Sequence, residues 1–134
     1  MITREADYGI RVLLLLARRE RAGQGGESSV AIAEEMDIPY RFLRKLVKRM
    51  VAGRLLTSRR GKGGGLELAR PAGRITLYDI LEIMGPAGTR LSQCVATPGA
   101  CRRAGTCRVH RVIGTIQTSV DRQLRAANLE SLVD

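Results

Sequence analysis

The segment from Pro39 to Ala52 constrains this chain more than any other, because it asks one helix to face two media. Arg41, Arg44, Lys45, Lys48 and Arg49 recur at i, i+3, i+4, i+7 and i+8. Leu43, Leu46, Val47, Met50 and Val51 follow the same period on roughly the opposite side. One face is therefore core and the other a basic stripe. A charged stripe alone is often only a solvated face, so its surroundings decide. From Ile38 to Leu66 there are nine Lys or Arg residues and no acid. The formal net charge is +10 and the excess is a local block. Such a block implies an acidic partner, nucleic acid first.

The flanks supply the context. Thr3 to about Arg21 reads as a first helix, with Thr3 as N-cap and Glu5 and Asp7 where the helix dipole favours acids. Its apolar run Val12 to Ala17 is too continuous for a surface helix and far short of the ~20 residues of a membrane span. With no signal peptide at the start, a soluble cytoplasmic protein with no membrane partner is expected. Ala22 to Gly26 reads as a flexible loop. Ser28 or Ser29 caps a second helix through Met36, with Val30, Ile32, Ala33 and Met36 on its inner face. Asp37-Ile38-Pro39 breaks that helix. Pro39 suits the N1 position of the third, and Gly53 the C′ position that ends it. Leu55 to Ser58 and Leu66 to Leu68 read as strands around a glycine-rich turn, with Arg59, Arg60 and Lys62 at its tip.

Helix, turn, helix and glycine-tipped hairpin spell a winged helix-turn-helix in a mostly α fold. In that motif the second helix enters the major groove and its N-terminal residues reach base edges. Arg41, Arg44 and Lys45 are placed for bases, Lys48 and Arg49 for phosphates. Arg59, Arg60 and Lys62 on the wing suit the backbone or the minor groove. The triple glycine is no Walker loop, since no Lys-Ser or Lys-Thr pair follows it.

The 134 residues suffice for one compact unit with an extension, and 3% aromatics make its core aliphatic. Residues 1–84 are read as the DNA-binding domain, closing with a helix from Ile75 to Met84 capped by Thr76. Residues 85–108 form a loop containing all the cysteines. Residues 109–134 hold a long helix, Val109 to about Ala127, and a tail. Val109, Val112, Ile113, Ile116, Val120 and Leu124 form one apolar stripe on that helix, which needs a partner surface.

Cys94, Cys101, Cys107 and His110 have the spacing C-x6-C-x5-C-x2-H. Three chemistries fit. Thiolates with one His are ligands of iron–sulfur clusters. A Cys3His zinc site is a second reading, although the tight knuckle usual for zinc is missing. Free thiols acting as redox switches, with no metal, are the third. An odd cysteine count clustered late argues against a disulfide framework. No nucleophilic triad or carboxylate pair is legible, so an enzyme is not expected.

Several segments together resemble the IscR/NsrR/RirA family of bacterial regulators. They are Thr3 to Arg11, Ile38 to Leu43, Arg60 to Gly65 and the cysteine loop. The resemblance implies a homodimer paired through the long C-terminal helix on a roughly palindromic operator. It also implies a [2Fe–2S] or [4Fe–4S] cluster on Cys94, Cys101 and Cys107 that gates binding to double-stranded DNA. His110 matches one kind of fourth ligand in that family. Asp7, donated by the partner subunit, matches another. The first cysteine gap is one residue longer than in IscR or NsrR, and Arg44 replaces an acidic residue of the IscR recognition helix. The competing class is a winged-helix regulator or interaction protein with a zinc staple or a thiol switch and no cluster.

Overall fold

The computed structural model describes residues 2–134. Its order is α1 (Arg4–Arg21), α2 (Ser29–Glu35), α3 (Tyr40–Ala52), β1 (Leu56–Arg59), β2 (Gly65–Leu68), a 3-10 turn (Ala72–Arg74), α4 (Leu77–Met84), α5 (Gln93–Ala96), α6 (Arg108–Ala126) and α7 (Leu129–Leu132). The strands pair antiparallel, Leu56 opposite Leu68 and Arg59 opposite Gly65. This is the winged helix-turn-helix expected, mostly helical with one small hairpin. No helix among the described residues is long and apolar enough to cross a membrane.

Capping follows the sequence. Thr3 accepts the Ala6 N–H, and Ser28 accepts that of Ala31. Thr76 and Asp79 form a reciprocal capping box at α4. Such caps are worth roughly 1 kcal/mol each.

The helix-turn-helix is closed by two Schellman motifs. Ile38 N–H reaches Ala33 C=O and Leu55 N–H reaches Met50 C=O, at 2.9 and 2.8 Å. The left-handed residues are Asp37 (φ 50°) and Arg54 (φ 58°). Gly53 was expected to take the second of these positions, yet its φ is −82°. Its missing β-carbon serves packing instead, because a Cβ there would lie 2.7 Å from Ile83 of α4. Pro39 likewise differs from the expectation. It is the N-cap, with ψ 127°, one residue before the helix.

One aliphatic core joins α1 to α4, both strands and α7. Leu13 and Leu16 of α1, Ile32 of α2, Leu43, Leu46 and Met50 of α3, and Ile80 and Met84 of α4 are buried in it. Val30 and Val51, expected inward, are exposed, because seven-residue α2 and the end of α3 turn only one narrow face to the core. The glycine loop after α1 is tied to the wing. Glu27 forms a bridge with Leu66 through bonds of 3.1 and 2.7 Å.

The chain end folds back. Leu77 N–H reaches Ala127 C=O and Leu129 N–H reaches Ile75 C=O, both at 2.9 Å. Leu129 is fully buried in the core of the head. The stripe on α6 is split accordingly. Leu124 packs against the core. Ile113 and Val120 are half-buried, whereas Val109, Val112 and Ile116 stand 67%, 58% and 44% exposed.

Candidate nucleic-acid interface and cysteine loop

Arg41, Arg44, Lys45 and Lys48 are exposed on the outer face of α3. With Ser29 and Tyr40 they line one shallow groove between α2 and α3. The sequence marks Ser29 only as a candidate helix cap and Tyr40 only as part of the segment from Ile38 to Leu43. Tyr40 carries a signal all the same, as a large ring 46% exposed at the first turn of the helix. Arg44 lies 6.0 Å from its ring centroid, within reach of a cation–π contact.

The cations divide by their partners. Lys45 meets Glu5 Oε1 at 2.9 Å. Arg49 is half-buried and engaged twice, by the other Glu5 oxygen and by the Ile83 carbonyl at 2.7 Å. That geometry makes Arg49 a clamp holding α3 to α1 and α4. Arg59 lies 3.5 Å from Glu67 across the wing. Arg41, Arg44, Lys48, Arg60 and Lys62 have no acidic partner among the described residues. The wing turn uses left-handed Gly61, Gly63 and Gly65, with φ of 94°, 79° and 127°. These are conformations that side chains disfavour. The turn thereby presents Arg60 and Lys62 outward, both exposed.

The cysteine loop is less assembled. Cys94 on α5, Cys101 and Cys107 are all free and half-buried. Cys94 Sγ is 3.1 Å from Ser92 Oγ. Cys107 is the N-cap of α6, its sulfur accepting the His110 N–H at 3.4 Å. Among the described residues no three Cys, His, Asp or Glu side chains lie together as a metal-holding group. The donor chemistry nonetheless fits a metal centre. Three thiols share one loop, and His110 Nδ1 is buried with no hydrogen-bond partner. An unpaired buried nitrogen costs roughly 1–3 kcal/mol and is free to take a partner. Asp7, the other candidate, is bonded to Arg11 at 3.0 Å.

Glu5 is the acid on which α3 is anchored. The Lys45 hydrogen bond, with the charges of Lys45 and Arg49, holds its carboxyl below the ordinary value of 4.5 despite opposing desolvation. A carboxyl depressed in the folded state contributes stability above its unfolded value, lost as pH falls through the folded one. Glu5→Gln should therefore lower the urea midpoint at pH 6. The gap to wild type should close as pH drops below 4.5. A gap that stays constant with pH contradicts the clamp.

Comparison with known proteins agrees with this geometry. A profile of the Rrf2 family, described as "Iron-dependent Transcriptional regulator", matches residues 2–134. The HTH-type transcriptional regulator BadM of Rhodopseudomonas palustris is 31% identical over 122 residues, covering 91% of this chain and 73% of BadM. The oxidized form of Staphylococcus aureus CymR superposes with a TM-score of 0.74 at 26% identity, over 100% of this chain and 96% of CymR. T. potens IscR superposes with a TM-score of 0.74 at 22% identity, over 98% of this chain and 85% of IscR, a likeness of fold. The chain belongs to the Rrf2 family of transcriptional regulators.

Proposed function

We propose that this regulator reads a roughly palindromic operator as a homodimer, with the cysteine loop as its sensor. The observation that carries DNA reading is the set of unpaired cations on one surface. Arg41 and Arg44 stand at the N-terminal end of α3, where base edges are reached, and Lys48 stands further along. Lys45 is bonded to Glu5 yet still exposed, and it contributes charge at the same groove. Arg59, Arg60 and Lys62 bring the wing to the backbone or the minor groove. Arg49 serves DNA binding by holding α3 in place. Residues 1–84 act as the reading head, 85–108 as the sensor loop and 109–134 as the dimerisation helix and tail. The exposed edge Val109, Val112 and Ile116 of α6 supports pairing with a second copy, since three adjacent apolar side chains are left in water.

The loop is proposed to hold an iron–sulfur cluster, [2Fe–2S] or [4Fe–4S], through Cys94, Cys101 and Cys107. The orphan ring nitrogen favours His110 as fourth ligand over Asp7 of the partner subunit. When bound, such a cluster supplies a redox and ligand-exchange centre. The protein's part is to gather three thiols by closing the loop, and Cys107 already stands at the positive end of α6, which favours an anionic ligand set. A second reading, a thiol switch with zinc or no metal, is supported by the likeness to oxidized CymR and by the three ungathered thiols.

Two measurements separate these claims. Arg44→Ala should cost about 1–3 kcal/mol on a duplex selected in vitro and erode its preference over unrelated DNA. Lys48→Ala should weaken binding to both DNAs alike and reduce the salt slope by about 1. Equal behaviour of the two variants contradicts the assignment of bases and phosphates. Protein isolated without oxygen should absorb in the visible, carry iron and sulfide, and lose both with Cys101→Ala. Colourless protein with stoichiometric zinc, or with no metal after reconstitution, establishes the second reading.

A further inference from the structure

The last turn of α4 meets three parts of the molecule through three consecutive residues. Glu82 accepts the backbone N–H and side chain of Thr89 at 3.0 and 2.9 Å. Ile83 gives its carbonyl to Arg49, and its side chain fills the space over Gly53. Met84 is fully buried against Gly9 of α1, where an added Cβ would lie 3.2 Å from it.

Glu82 is one edge of a polar knot. Thr89 and Gln117 are the buried polar residues among those described, 0% and 5% exposed. Gln117 Nε2 donates to the Thr89 carbonyl at 3.0 Å and to Asp121 at 2.7 Å, while its Oε1 accepts the Leu91 N–H at 2.8 Å. Thr89 Oγ also lies 3.1 Å from Asp121 and accepts from Arg90 at 2.9 Å. Arg90 approaches Glu82 at 3.3 Å. The knot joins residues 89–91, three to five positions before Cys94, to the middle of α6. A network with a buried centre of this kind is rigid when satisfied and costly when broken.

We propose that Thr89, through Glu82 and Ile83, positions the recognition helix. Displacement of the loop or of α6 moves Thr89, and Thr89 moves Glu82. The next residue in the same helical turn then moves the Arg49 guanidinium and the end of α3. Gly53 matters here, because Ile83 sits against bare backbone with no flexible side chain between to absorb a shift. Coupling can travel through contiguous packed contacts, and here two non-covalent contacts joined by one peptide bond make the path. The inference rests on the sensor reading of residues 85–108 only for what moves the knot. The link from knot to α3 stands independently.

Hydrogen exchange by mass spectrometry on the full chain tests it. Thr89→Val keeps the shape and removes the hydroxyl. It should speed exchange of the amides from Arg49 to Leu55 at least tenfold, while α2, outside the relay, keeps its wild-type rates. Thr89→Ser should restore protection. Acceleration confined to the loop and α6, or equal in α2 and α3, overturns the proposal. Should Thr89→Val not fold, Glu82→Gln serves the same comparison. Unchanged exchange from Arg49 to Leu55 in that variant overturns the proposal, and a rise there supports it. If Thr89→Val accelerates α3 exchange but neither iron–sulfide reconstitution nor N-ethylmaleimide changes it in wild type, the sensor reading falls and the positioning role stands.

Discussion

Everything in this molecule depends on one helix having two faces held at a fixed angle. The inner face of α3 buries Leu43, Leu46 and Met50 completely, which locks its rotation. Burial of one such side chain is worth about 1.5–3 kcal/mol. Arg49 adds a polar tie to this packing, held by Glu5 at one side and the Ile83 carbonyl at the other. A reader of DNA needs that rigidity, because hydrogen bonds to base edges discriminate only when donors arrive in register.

Charge is arranged with the same economy. From Ile38 to Leu66 the sequence offers no acid, so the stripe cannot neutralise itself. Glu5, supplied from α1, engages two of its cations. Arg41, Arg44 and Lys48 are left unpaired around the groove lined by Ser29 and Tyr40. Like charges left side by side repel one another, and the proposed DNA contact would relieve that repulsion.

The legible parts were those written in short-range patterns. The period of α3, the caps Thr3, Ser28 and Thr76, and the wing glycines all announce themselves within a few residues, and the fold class followed. Arg49 reads from local spacing as a phosphate contact, while the partners it has in the structure lie 44 and 34 positions away in sequence. Local spacing cannot tell a phosphate contact from a clamp. Gly53 fitted a capping rule, yet its cause is the Ile83 side chain of another helix. The helix α7 escaped notice because four residues show no period, although Leu129 anchors the core. The cysteine loop had spacing but no period. Its sequence therefore stated donor chemistry without the arrangement of donors.

The basic surface of α3 and the wing is proposed to bind DNA through phosphates as well as bases. The most direct measurement is the salt dependence of wild-type affinity for a duplex chosen by in vitro selection. A dimer using the unpaired cations of both α3 helices and both wings should show log K falling against log salt with a slope of about −5 or steeper. A slope near zero would mean that the basic stripe is a solvated face and that the binding surface lies elsewhere.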